Sequence, residues 1–103
     1  LIISGGYNVY PKEIETLIDE MPEVDESAII GVPHKDFGEA GVAVVVLRQG
    51  AALDEAALIA RLKEKIANYK VPKHAFFVES LPRNTMGKVQ KNLLRDRYRD
   101  ACA

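Results

Sequence analysis

Cysteine is almost missing from this 103-residue chain, and the one present, Cys102, stands a single residue from the end. No internal disulfide can form and no cysteine-based zinc site can be built, which points to a reducing, cytoplasmic setting. Histidine is scarce as well. His34 and His74 lack metal-ligand spacing to each other or to carboxylates, so no resident metal is expected. Long apolar runs are lacking: the longest, from Val42 to Leu47, is far short of the roughly 18 residues of a membrane span. No charged-then-apolar leader opens the chain, so no membrane partner is expected. It starts on Leu1-Ile2-Ile3 without methionine and reads as a piece cut from something larger.

What is present is ordinary globular composition, 48% hydrophobic and 28% charged, enough for one core in one domain over residues 1–103. The net charge of −1 hides a split between the halves. Residues 1–60 hold three basic side chains against eleven acidic, and residues 61–103 hold eleven basic against four acidic. The C-terminal half is therefore suited to an anionic partner, either phosphate-bearing or an acidic protein face. Nucleic acid is not that partner, because no aromatic stripe interleaves with the basic residues. Arg61, Lys63 and Lys65 read as the wet face of a helix.

Pro11 suits a first helical position, and Ile14, Leu17, Ile18 and Met21 follow one buried helical face, which predicts a helix over 11–20 ended by Pro22. Residues 27–32 and 75–78 read as strands. The β-branched run 42–47 does not alternate, as expected for a central strand covered on both faces. Residues 33–41, polar with two glycines, read as a loop. Asp54 caps a second helix that should end near Ala67 or Asn68, and Leu93, Leu94, Arg97 and Tyr98 outline a closing one. The fold expected is a small α+β domain, a three-stranded sheet with packed helices plus an N-terminal β-turn or hairpin.

Two segments join backbone freedom to charge. In Ser4-Gly5-Gly6-Tyr7-Asn8 the adjacent glycines permit positive φ or the close approach of a ligand. In residues 81–91 (LPRNTMGKVQK) Lys88 follows a glycine, but a Walker A loop would need glycine at Pro82 and Ser or Thr at Val89, so that reading fails. Lys88 suits another phosphate task, reaching from a loop to neutralise charge that develops in a transition state. Asp36 and Glu39 have no nucleophile beside them and read as loop caps. The chain alone lacks a complete active site.

Residues 4–15 (SGGYNVYPKEIE), 31–39 (GVPHKDFGE), 69–73 (YKVPK) and 81–91 stand in the order and spacing found in the C-terminal domain of AMP-forming acyl-CoA synthetases, the adenylate-forming superfamily. The first and last of these look most like those of bacterial malonyl-CoA synthetases. The resemblance implies a two-step ligase: a carboxylic acid and ATP give an acyl-adenylate and pyrophosphate, and the CoA thiol then displaces AMP. ATP and CoA would be substrates of the full enzyme, with Mg2+ accompanying ATP and held outside this domain. An N-terminal domain would carry the nucleotide and acid pockets, and this domain would be its mobile lid, turning about a hinge just before Leu1. The resemblance makes Lys88 the adenylation lysine and puts Gly5, Gly6 and Tyr7 along the path of the CoA pantetheine. Some relatives carry a basic residue where this chain has Asn8, which leaves open the cation that meets the CoA phosphates. It also implies a rival role, in which Lys88 is acetylated by a GNAT-type protein lysine acetyltransferase, with Arg83, Lys91, Arg95, Arg97 and Arg99 steering the docking.

Overall fold

Residues 1–102 are described by a computed structural model. The N-terminal hairpin is β1 (Ile2–Ser4) and β2 (Tyr7–Val9), followed by helix α1 (Pro11–Asp19). Pro11 opens α1 where a missing N–H costs nothing, and Ile14 and Ile18 are its buried residues. Strands β3 (Val24–His34) and β4 (Gly38–Leu47) form a long antiparallel hairpin. Helix α2 (Glu55–Lys63) starts at Asp54, whose carboxylate accepts from the Ala57 N–H at 2.8 Å. A 3-10 turn (Asn68–Lys70), β5 (His74–Phe77) and α3 (Lys91–Arg97) complete the chain.

The sheet is mixed and five-stranded, because the expected hairpin joins the three expected strands. β4 lies at its centre, antiparallel to β3 on one side. On the other side it meets β1 at Ser4↔Gly38 and runs parallel to β5 from Val42↔His74 to Val45↔Phe77. Both faces are covered. Ile29, Ala43, Val45 and Ala75 pack with Ile14, Ile18, Leu58 and Leu62 of α1 and α2. Ala28, Ile30, Val42 and Val44 pack with Leu81, Leu94 of α3 and Cys102. That double burial explains why the 42–47 run shows no alternation.

Two local expectations are corrected. Residues 33–41 are mostly strand: only residues 35–37 turn, and the His34 Nδ1 accepts from the Asp36 and Phe37 N–H groups at 3.0 and 3.2 Å. Helix α2 stops at Lys63, past which the N–H groups of Lys65 and Ile66 both turn back to the Leu62 carbonyl, at 2.9 and 3.0 Å. Among the described residues, no helix is long and apolar enough to cross a membrane.

Candidate functional site

The glycine turn sits at one end of the sheet. Gly5 and Gly6 have φ of 58° and 86°, the sign at both positions that a two-residue type I′ hairpin turn requires. The Gly5 N–H donates to the Phe37 carbonyl at 2.9 Å, which docks this turn on the β3–β4 turn. A side chain at Gly6 would meet nothing within 4 Å, so that face of the turn is open. Tyr7 stacks on Tyr69 with centroids 4.7 Å apart, and the Lys73 Nζ lies 4.9 Å from the Phe37 ring centre. Ser4, Gly5, Tyr7, Phe37, Tyr69 and Lys73 together line a groove of about 160 Å³. Tyr7 is 59% exposed, Tyr69 41% and Phe37 39%, so three rings reach the surface here, with His34 stacked on Phe37 at 4.4 Å. The neighbouring Lys70 is occupied: its ammonium donates to Glu13 at 2.9 Å, which raises its pKa.

Lys88 sits on a second hairpin whose shape is set from inside. The Asn84 N–H donates to the Lys88 carbonyl at 3.0 Å, and the Gln90 N–H to the Pro82 carbonyl at 2.8 Å. The Asn84 Oδ1 accepts from the Met86 and Lys88 N–H groups at 2.9 and 3.0 Å, the local trick by which asparagine builds turns. Gly87 completes the turn at φ 81°. Leu81 is buried and Val89 packs on the same core, which seats the base of the hairpin on the sheet. The Lys88 side chain itself is exposed and, among the described residues, pairs with no carboxylate.

These two segments are far apart. The glycine turn meets the sheet at Gly38, which pairs with His34, whereas the Lys88 hairpin reaches the sheet through an ion pair from Arg83 to Glu26. His34 and Glu26 are eight residues apart on β3, about 26 Å at roughly 3.3 Å per residue. A single small reaction centre cannot touch both at once.

Several basic residues read from the sequence as free have internal partners. Arg61 is not simply wet: both of its terminal nitrogens donate to the Glu23 carboxylate at 2.8 Å. Arg83 and Lys91, expected to steer a docking partner, are tied to Glu26 and Glu15. Among the described residues, no three or more His, Cys, Asp or Glu side chains are grouped to hold a metal ion. Phe37, Tyr69 and Lys73 fall within the motifs 31–39 and 69–73, where no local pattern marks them as parts of one site. Their aromatic and cationic character, recurring in two motifs, was the available signal.

The family model for the AMP-binding enzyme C-terminal domain matches residues 13–88. ATP-bound MatB from Rhodopseudomonas palustris superposes with a TM-score of 0.97 at 58% identity, over 100% of this chain and 20% of that one. An octahydroindenyl-propanoyl:CoA ligase of Rhodococcus jostii (strain RHA1) is 51% identical over 96 residues, 93% of this chain and 19% of its own length. The 2-succinylbenzoate–CoA ligase of Geobacillus kaustophilus (strain HTA426) is 45% identical over 95 residues, 92% of this chain and again 19% of that protein. The chain thus spans about a fifth of the relatives it matches.

Proposed function

The chain belongs to the AMP-binding enzyme C-terminal domain family, and from that premise we propose that residues 1–103 are the mobile C-terminal lid of an ATP-dependent, AMP-forming acyl-CoA ligase. One observation carries the reading: the Lys88 hairpin and the Gly5-Gly6 turn stand at opposite ends of one strand pair. A lid that serves two half-reactions at one centre must present one end, then the other, by turning as a body.

In the adenylation pose the Lys88 ammonium meets the substrate carboxylate and the α-phosphate. Its positive charge offsets the negative charge that develops as the acyl-phosphate bond forms and pyrophosphate leaves. Lys88 suits that task because it is exposed, carries no competing carboxylate among the described residues, and stands on a hairpin already ordered by Asn84. In the second pose the glycine turn lines the passage for the CoA thiol. The open face at Gly6 leaves room for a slender chain. The rings of Tyr7, Phe37 and Tyr69 give the CoA flat apolar contact, and Lys73 is the cation for its phosphates, a task the sequence left unassigned at Asn8.

Relatives named for such different acids as 2-succinylbenzoate and a fused-ring propanoate share this domain. That supports acid choice by the N-terminal part of the enzyme. Malonate as the acid rests on the motif resemblance to malonyl-CoA synthetases. The accessibility of Lys88 favours one further reading, acetylation by a GNAT-type acetyltransferase, which would delete the charge that adenylation needs.

The test separates the half-reactions in the full-length ligase carrying this domain. Lys88→Ala should cut acid-dependent pyrophosphate release by about 10²-fold or more and leave discharge of preformed acyl-adenylate by CoA intact. Unchanged pyrophosphate release would overturn the reading.

A further inference from the structure

We infer that Glu26 and Arg83 are positioning residues for adenylation, an ion pair that aims the Lys88 hairpin from the edge strand β3; the inference rests on the adenylation role proposed for Lys88.

The hydrogen bonds of Asn84 lie within the hairpin, so they set its shape and say nothing of its direction. Direction comes from what joins the hairpin to the rest of the domain. At its base that is the packing of Leu81 and Val89 together with the Lys91–Glu15 ion pair. Towards its tip it is one side chain: the Arg83 Nη1 donates to the Gly87 carbonyl at 2.7 Å, and Nη2 donates to the Glu26 carboxylate, 57 residues earlier. The residue before Lys88 is thereby connected through a single planar guanidinium to the sheet. A fork can hold two acceptors in one fixed geometry, and an ammonium cannot. Glu26 stands at a firm place, paired with Val46 of the central strand β4 just after the bulge that separates it from Val24. Without the pair the hairpin pivots on its base, and the lysine samples positions away from the reacting phosphate. Misplacement of about 1 Å can cost a catalytic group 10²-fold.

The experiment compares Lys88→Ala, Glu26→Ala, Glu26→Gln, Arg83→Lys, Arg83→Ala and Glu26→Ala/Arg83→Ala in the full-length ligase, reading pyrophosphate release and CoA discharge of preformed adenylate separately. We expect Glu26→Ala and Arg83→Lys each to lower kcat for pyrophosphate release about 10-fold, with KM for ATP and the CoA step unchanged. Glu26→Gln, which keeps an acceptor for Nη2, restores most of the rate. The double variant loses no more than either single change, as for two parts of one device. Thermal melting of each variant guards against a folding defect. If Lys88→Ala loses pyrophosphate release while Glu26→Ala and Arg83→Lys keep it, the positioning inference alone fails. Equal losses in both half-reactions would reduce the pair to a structural contact and overturn it too. If Lys88→Ala itself retains full pyrophosphate release, the underlying reading fails instead.

Discussion

Tyr7 stacks on Tyr69 at 4.7 Å with planes inclined by 29°, closing a β-turn at the start of the chain onto a 3-10 turn 62 residues later. The pair forms one wall of the groove that also holds Phe37 and Lys73. On the proposed reading, ring and cation have separable tasks there. Tyr69→Ala and Lys73→Ala should each raise KM for CoA about 10-fold, the scale of one lost aromatic or charge-assisted contact, while acid-dependent pyrophosphate release stays unchanged. Steady-state kinetics with CoA as the varied substrate measure this, and an unchanged KM in both variants removes the groove from the CoA path.

Gly6 combines a positive φ with open space, so two effects of substitution can be told apart. Gly6→Ala introduces backbone strain of about 1–2 kcal/mol with almost no bulk. Gly6→Leu adds bulk to the same strain. Both should lower the melting temperature alike, and only the leucine should slow CoA discharge further. If the two variants discharge acyl-adenylate equally fast, the turn does not border the passage.

The Glu15 carboxylate, mostly buried, accepts from the Ile29 N–H at 2.8 Å and pairs with the Lys91 ammonium at 2.7 Å. It satisfies an N–H on the outer edge of β3, at a residue with no exposed surface. Glu15→Ala orphans that donor and should cost about 1–3 kcal/mol, while Glu15→Gln, which still offers an oxygen, costs less. Urea denaturation of the 103-residue chain reads both.

Hydrogen bonds from the Arg61 guanidinium lower the Glu23 carboxyl from 4.5 to about 2. A folded-state pKa below the unfolded one adds stability that is fully present above the unfolded value and is lost as pH falls through the folded value. The difference in urea midpoint between the parent chain and Glu23→Gln should therefore be constant near neutrality and shrink as pH falls from about 4.5 through about 2. A difference that keeps its neutral value down to pH 2 would contradict the pairing.

Helix α1 was readable because every local signal agreed: Pro11 at its start, Ile14 and Ile18 one turn apart, Pro22 beyond its end. The central strand was readable because burial on both faces leaves a mark in composition. Residues 33–41 misled because their glycines suggested a loop. Gly41 in fact pairs with Gly31 across the hairpin, and a Cβ at Gly31 would come within 3.0 Å of both the Glu39 carboxylate and Ile2. Gly38 does keep a turn role at φ 80°, whereas Gly31, just before the segment, serves close packing, an environment no local pattern announces. Lys88 and the glycine turn were legible through residue type, whereas Phe37, Tyr69 and Lys73 converge only because β5 and the 3-10 turn fold back beside β4.

The amino-acid sequence by itself determined where the helices begin, the central strand, the turn chemistry of Gly5 and Gly6, and the exposed charge of Lys88, all of which depend on a residue and its near neighbours. Only the tertiary structure decided that the glycine turn and the lysine hairpin stand at opposite ends of β3 and that Arg83 meets Glu26. Those relations depend on strand register and on contacts between segments tens of residues apart, where the packing of the whole sheet, and no local preference, selects the partner.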